Sequence, residues 1–430
     1  MLFVAPSYAP FVGGAQTFQR AMALRLVADG HRVTVLTTAA REVADFWLPY
    51  ATSAAPLRPR ELLDGVSVER LAIRHPWPAP YAFGLARRAG LWLQRTGLPT
   101  VIQRPLLRRL ARWMPPLEGL EAALDRLVPW AHLIQALDSS WDGLFVATAS
   151  AAQRYGKPLV AIPLMHLSDA RVRAHFQMAH QADVYRGAEA VVALSRGEAD
   201  ALADMGVEAT RIHTLAMGVD PNSALGIRGR DVVEFRHRHD VRGRVVAFLG
   251  ANTHDKGAFT LALAVAQLNA AGLEVNLVCA GPERDRLAAF LRRQPEQVRS
   301  ALQGRLHLLG IVSEDDKHLL LATCDLLALP SRVDAFGIVI LEAWLHGKPV
   351  IGANAGGIAD LVTPEETGLL VPFGDVSALA SAIRRLITEP ELAARLGTSG
   401  QQQTVHCYTW DRTYRGLLAV YSSALAEHEG

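Results

Sequence analysis

Cysteine is scarce in this sequence: three in 430 residues, Cys279, Cys324 and Cys407, far apart from one another. That spacing argues against a disulfide scaffold or a zinc site, and the apolar runs around the first two fit buried thiols in a reducing compartment. Net charge is nearly absent too, with 44 basic against 42 acidic residues. No global field therefore argues for a nucleic-acid partner. No apolar run approaches the roughly 20 residues needed to span a bilayer. The apolar start Met1–Ala5 is short and has no basic flank, unlike a secretory leader, so a cytosolic protein is expected. There is no Gly-x-Gly-x-x-Gly. Gly156-Lys157 and Gly347-Lys348 are both followed by proline rather than Ser or Thr. Dinucleotide oxidoreductases and P-loop enzymes fit poorly for that reason.

One absence is local. From Ile73 to Leu117 there is no acid, but eight arginines: Arg74, Arg87, Arg88, Arg95, Arg104, Arg108, Arg109 and Arg112. Trp77, Tyr81, Phe83, Trp92 and Trp113 are interleaved with them. Such a stretch reads as a surface for anionic lipid headgroups, as an acceptor site for an anionic substrate, or as a solvated basic face on an ordinary insertion.

What is present is a well-packed composition, half apolar and one-fifth charged. Its length exceeds a single ordinary core, so two domains are expected. Met1–Pro6 reads as a strand, Ala15–Asp29 as a helix stopped by Gly30, and Arg32–Thr37 as the next strand. This βαβ rhythm predicts a parallel sheet. Gly13-Gly14, just before the helix, is either a tight turn or bare backbone that a ligand can approach. Residues 41–73 are less regular.

The rhythm resumes at Ala131. His132–Leu137 is strand-like, Gly143–Tyr155 helical, and Pro158–Pro163 a strand that delivers His166 into a loop. Val172–Val184 reads as a helix, and Ala190–Leu194 and Arg211–Leu215 as strands. Met217–Arg242 is the candidate linker. Beyond it come the strands Arg244–Leu249, Val275–Ala280, Leu306–Leu309, Asp325–Leu329, Pro349–Ala353 and Gly368–Val371, then the helices Val376–Thr388 and Pro390–Leu396. A last helix, Thr409–Glu427, has Trp410, Tyr414 and Leu417 or Leu418 on one side, as a helix that ties the two halves together requires.

The second half is organised around Ser331–Ala343. A buried-type strand, a short polar loop and a helix opening at about Gly337 present free amides and a positive dipole end to an anion. Asp334 and Glu342 stand on either side of that helix start. A phosphate fits between them, with one carboxylate for hydroxyls on each side. Open parallel sheets bind ligands at the C-terminal ends of their strands. Gly13-Gly14, His166, the loop around Lys256, Ser331–Gly337 and Gly356-Gly357 all follow strands.

This ordered set resembles the retaining nucleotide-sugar glycosyltransferases of family four, over nearly the whole chain. The residues that carry it are Gly13-Gly14, Ala182–Ser195 with Met217–Asp220, Asp255-Lys256-Gly257, Pro330–Glu342, Gly356-Gly357 and Thr367–Leu370. The resemblance implies an α/β protein of GT-B fold: two Rossmann-like domains facing across a cleft, with a C-terminal helix crossing back to the N-terminal domain. Residues 1–217 would form the acceptor domain, with a variable basic aromatic insertion at 41–130. A linker at 218–243, a nucleotide-sugar domain at 244–405 and the crossover helix at 406–430 would follow.

The resemblance also implies roles. Glu342 would accept from ribose hydroxyls and Asp334 from donor-sugar hydroxyls. Amides of Phe336, Gly337 and Ile338 would bind sugar and phosphate, with Ser331 and Val339 in the same loop and first turn. Lys256 would neutralise the leaving diphosphate, and His166 would lie beside the sugar. Gly13 and Gly14 would let their helix start approach the phosphates. Donor and acceptor are substrates, so no cofactor and no metal is expected. The acceptor would be a glycan, a lipid-linked glycan or a small metabolite.

Two departures stand out. The first acid of the family motif is Asp334 rather than the usual glutamate. Ala251 stands where the family usually has a diphosphate-binding arginine, with His254 or Arg332 as substitutes. A non-catalytic nucleotide-sugar-binding homologue or partner subunit is therefore the alternative function, and an epimerase of similar architecture fits less well. Each site residue also has a local alternative: Asp334 as a helix cap, Glu342 as a solvated helix charge, Lys256 as a loop lysine and His166 as a packing histidine.

Overall fold

The computed structural model describes residues 1–48, 57–75, 81–168 and 170–429, without the side chains of Arg171 and Glu429. Trp77, named above, lies outside them. The chain divides into two compact units. The first is Met1–Met165 with Asp169–Leu215 and the segment from Thr413 onward; the second is Ala216–Arg412 with His166–Ser168.

Among its described residues the first unit has eight strands: β1 (Leu2–Val4), β2 (Thr34–Thr38), β3 (Arg60–Leu63), β4 (Val66–Leu71), β5 (Ile134–Leu137), β6 (Leu159–Ile162), β7 (Ala190–Ala193) and β8 (Ile212–Thr214). Their order is β3-β4-β2-β1-β5-β6-β7-β8. All neighbours are parallel except β3 and β4. The short central strands β5, β6 and β7 are buried on both faces, which is why they read as continuous apolar runs rather than alternating ones.

The β3–β4 hairpin occupies the stretch expected to be irregular. Its two-residue turn is Asp64-Gly65, with φ of 49° and 85°, and Leu63 pairs with Val66 across it. Asp-Gly between two short runs is the usual signature of such a turn, and it was present in the sequence.

A second difference concerns Val172–Val184, where the single expected helix is interrupted: Ala170–Arg173 and Ala179–Gly187 are separate helices. The terminal helix, Trp410–Glu429, packs on the first unit from Thr413 onward. Tyr414 donates to Asp29 at 2.6 Å and Tyr421 to Gln135 at 2.5 Å. Leu417 and Ala424 are fully buried between these two tyrosines and beyond them.

The second unit has six strands, all parallel: β9 (Arg244–Leu249), β10 (Val275–Ala280), β11 (Leu306–Gly310), β12 (Leu326–Leu329), β13 (Val350–Ala353) and β14 (Leu369–Val371), in the order β11-β10-β9-β12-β13-β14. The stretch 218–243, expected as a linker, is instead packed onto this unit. It contains the helix Gly229–Arg238, whose Phe235 is fully buried and whose Arg236 donates to the carbonyls of Gly243 and Thr323. The helix Pro390–Cys407 runs eleven residues past its expected end at Leu396. Cys279 and Cys324 are buried free thiols and Cys407 is exposed; burial holds both buried thiols well above their ordinary pKa.

Candidate active site

The site in the second unit begins where β12 runs out. Its four residues are all buried, and Pro330 ends the strand. Ser331, fully buried, accepts from the Val333 amide at 3.2 Å and tightens the start of the loop. The loop closes at Gly337, which caps the helix Ile338–Leu345 with φ of 93°. That conformation is one that glycine adopts without strain. Asp334 is therefore not the helix cap. Ile338 and Val339, in the first turn, are half-buried, whereas Phe336 is buried and meets Tyr408 edge-on at 6.0 Å.

Backbone contacts fix the loop on both sides. A Cβ at Gly257 would lie 2.1 Å from the Pro330 carbonyl oxygen. One at Gly357 would lie 1.9 Å from that of Ala335, and one at Gly356 2.7 Å from that of Asp334. The Gly357 amide also donates to the Asp334 carbonyl at 2.9 Å. These glycines are thus required by close approach of main chains, and they set Lys256 beside Asp334. The Lys256 ammonium lies 2.8 Å from Asp334 Oδ1, while Oδ2 is buried with no hydrogen-bond partner. Burial pushes this carboxyl up, but Lys256, the nearby Ser331 hydroxyl and His166 together bring it below the ordinary aspartate value.

Glu342 is buried one turn into the helix, not solvated. Lys317, from the helix Glu314–Thr323, meets its Oε1 at 2.6 Å and also reaches Glu314 at 2.6 Å. Its Oε2 is buried and without a hydrogen-bond partner. Burial raises the Glu342 carboxyl and outweighs Lys317, with Glu314 adding to the rise. Burial also lowers the Lys317 ammonium, but Glu342 and Glu314 more than reverse that. The pair is asymmetric because Lys317 is shared between two acids and Glu342 has a single cation.

Lys317 was not singled out from the sequence. Its only signal was its place in an acid-rich first helical turn, Glu314-Asp315-Asp316, capped by Ser313. Glu198 was also missed. It is buried in the first unit and accepts from the amides of Met165 at 2.8 Å and Leu194 at 2.7 Å, thereby tying the ends of β6 and β7. Burial raises its carboxyl to about 7 despite those bonds. Ser195-x-x-Glu198 before an apolar run is the pattern that could have revealed it, since Ser195 caps the helix Arg196–Asp204 through the Glu198 amide. Met165 precedes His166, and His166–Ser168 packs with the second unit.

Ala251 carries no charge, and neither proposed substitute is idle. Arg332 grips Asp255 through Nη2 at 2.7 Å and Nε at 3.0 Å, and its guanidinium lies 4.9 Å from the Phe373 ring centroid. His254 Nδ1 is 3.5 Å from the same carboxylate oxygen. Lys256 is therefore the cation that faces the loop, held by a carboxylate that has a second oxygen to spare. Gly13 and Gly14 belong to the first unit. Gly13 caps the helix Gly14–Ala28 in an extended conformation, and a Cβ on it would meet only the end of the flexible Gln16 side chain.

Two carboxylates, each with a buried unpaired oxygen, an ammonium and a glycine-capped helix start thus lie on this one loop-and-helix unit and its neighbours. Among the described residues no cluster of three or more His, Cys, Asp or Glu is arranged for a metal. Two family models match the chain: one described as Glycosyltransferase Family 4 over residues 12–223, and one as Glycosyl transferases group 1 over residues 230–403. The chain is 33% identical over 298 residues to a D-inositol 3-phosphate glycosyltransferase of Salinispora tropica, a match covering 65% of this chain and 61% of that protein. It is 28% identical over 246 residues to an MMP alpha-(1->4)-mannosyltransferase of Mycolicibacterium hassiacum, covering 55% and 54%. The chain thus spans less than two thirds of the length of these curated relatives. Among solved structures, Anabaena HepE in complex with UDP and glucose matches with a TM-score of 0.71 at 22% identity, covering 98% of this chain and 99% of that one. That last likeness is one of fold.

Proposed function

This chain belongs to glycosyltransferase family four and has the two-domain α/β fold of the GT-B class, and on that premise we propose that it moves a hexose from a nucleoside-diphosphate sugar to an acceptor hydroxyl with retention of anomeric configuration. The observation that carries this reading is the Lys256–Asp334 contact at the capped helix start. In it, Lys256 takes the diphosphate, and Asp334, released from the lysine, takes hydroxyls of the donor sugar. Glu342 takes the ribose hydroxyls through the oxygen that Lys317 leaves unpaired. Amides of Phe336, Gly337, Ile338 and Val339 complete the cradle beside Ser331. His166 contacts the donor from its own loop.

The chemical step breaks the bond between the anomeric carbon and the diphosphate oxygen and forms one to the acceptor oxygen on the same face. The acceptor proton passes to the departing diphosphate oxygen. An ammonium and a helix N-terminus stabilise the charge that builds on the leaving group, so the reading needs no metal. Likeness to an inositol-phosphate glycosyltransferase and a mannosyltransferase supports an acceptor that is a polyol or sugar, free or carried on a glycan or lipid.

A second reading, a nucleotide-sugar-binding subunit without turnover, is favoured by one observation: Ala251 lacks the charge, and Arg332 is already engaged by Asp255. Melting the protein with UDP, GDP, ADP and TDP identifies the base, because a ligand that binds only the folded state raises the melting point. Donor hydrolysis and transfer are then assayed for wild type and Glu342→Ala. Turnover in wild type that the substitution lowers supports the transferase. Zero turnover in both, with nucleotide binding intact in wild type, supports the second reading.

A further inference from the structure

The helices Tyr81–Gln94 and Thr100–Ala111 lie in the first unit and pack on each other and on the helix Ala179–Gly187. Their inner sides are satisfied: Leu93, Leu107 and Met178 form one buried cluster. Their outer sides are unusual. Eight of the 17 exposed large hydrophobic residues among the described residues fall between Tyr81 and Trp113. They are also ordered. On the first helix Tyr81, Leu85, Arg88 and Trp92 recur at helical spacing along the exposed side, with Arg95 exposed just past its end, and Trp92 is 69% exposed. On the second, Ile102, Leu106 and Arg109 do the same, with Trp113 exposed just past its end. A water-facing helix side ordinarily carries polar residues.

Pairing, not burial, sorts the arginines of this stretch into two groups. Arg87 donates to His175 at 2.9 Å, and burial, with Arg87 itself, lowers that imidazole to about 4, so it accepts as the neutral form. Arg104 and Arg108 both reach Asp183, at 3.4 and 3.5 Å. Arg112 faces Glu121 at 4.0 Å. Arg88, Arg95 and Arg109 make no ion pair among the described residues, and they sit on the outer sides among the exposed aromatic and aliphatic residues. No acid of the stretch is available to neutralise them, because residues 73–117 contain none.

We propose that this outer face docks the protein on an anionic lipid membrane. The two components match that occupant and each other. Unpaired guanidinium groups meet lipid phosphates, and tryptophan, leucine and isoleucine side chains between them enter the headgroup boundary. Among the described residues no helix is long and apolar enough to cross a membrane, so the contact is peripheral. The proposal is independent of the donor chemistry and stands or falls without it.

The full-length protein is mixed with phosphatidylcholine vesicles, with or without phosphatidylglycerol, and floated on a density gradient. The expected result is flotation with the phosphatidylglycerol vesicles only, weakened by salt. The triple variant R88Q/R95Q/R109Q is expected to bind about a hundredfold more weakly, about fivefold per charge removed. W92S/W113S is expected to lose binding at unchanged net charge. R292Q/R293Q/R384Q removes the same charge from exposed positions of the second unit and is expected to float like wild type. Melting curves confirm that all variants fold; a variant that does not fold is replaced by its component single substitutions, read in the same assay. Equal flotation of both arginine triples, equal binding to neutral vesicles, or light scattering that shows a dimer lost in W92S/W113S would each overturn the proposal.

Discussion

Asp334, half-buried, and Glu342, buried, are two carboxylates on one loop-and-helix unit, eight residues apart, each with a lysine within 2.8 Å. Their titration is displaced in opposite directions: Asp334 down, Glu342 up. A lysine contact alone therefore does not decide the charge of a buried acid. Lys256 serves Asp334 alone, with Ser331 and His166 helping. Lys317 divides itself between Glu342 and Glu314. On the proposed reading the difference suits the tasks, since Asp334 remains an anion beside the reacting sugar and Glu342 is a softer acceptor for ribose.

Replacing Lys256 by Ala gives the largest expected effect. On the proposed reading it removes the cation on the leaving group, and kcat should fall by about a hundred- to a thousandfold. Steady-state transfer kinetics measure this; a change confined to KM would break the assignment. Glu342→Gln removes one charge-assisted contact worth about 1.5–3 kcal/mol. It should raise the donor KM by roughly ten- to a hundredfold with kcat nearly kept.

The two glycine pairs differ in how closely main chain approaches them. Gly357→Ala drives a Cβ into the Ala335 carbonyl. At about 1–3 kcal/mol for overpacking, the melting point should drop by about 2–12 °C. Gly13→Ala meets only a flexible glutamine and should leave it nearly unchanged. Calorimetry of both variants decides.

The smallest effects are in pH dependence, and their signs differ. Asp334 is lowered by folding, so its contribution to stability is present above about pH 4 and is lost as pH falls through its folded pKa. Glu342 is raised, so its contribution is present below about pH 4 and is lost as pH rises through its folded pKa. Against Asp334→Asn, wild type should gain relative stability as pH increases from 2 to about 4; against Glu342→Gln it should lose relative stability from about pH 4 upward. Urea titrations across pH test both slopes, and slopes of the same sign would dissolve the contrast. Lys317→Met should push the Glu342 carboxyl higher still and move the acid limb of kcat/KM to higher pH.

Much of the second unit was legible from sequence. Arg244–Leu249 and Val275–Ala280 are strands at the expected bounds, because continuous apolar runs flanked by polar loops have few other uses. Gly337 was legible as the helix start because a break between strand and helix favours glycine. The Lys317–Glu342 pair was not, since its partners are 25 residues apart and nothing local links them. The basic stretch shows a different failure. Composition revealed its charge, but only the folded structure separates Arg87 and Arg108, which are paired with His175 and Asp183, from Arg88 and Arg109, which make no ion pair among the described residues. The Asp64-Gly65 hairpin was written plainly in the chain and was passed over as irregular.

Lys256 is pinned to its place by the main chain of its neighbour: Gly257 lies flush against the Pro330 carbonyl. Cation and carboxylate are consequently carried by two loops that cannot drift apart without breaking that seat. A nucleotide-linked sugar entering such a site must exchange partners rather than find vacancies. On the proposed reading its phosphates displace the aspartate from the ammonium, and the freed aspartate becomes available to the sugar in the same motion. Recognition of one end of the donor is thereby made conditional on the other, so a nucleoside diphosphate without its sugar should leave Asp334 stranded and bind less tightly than the intact molecule.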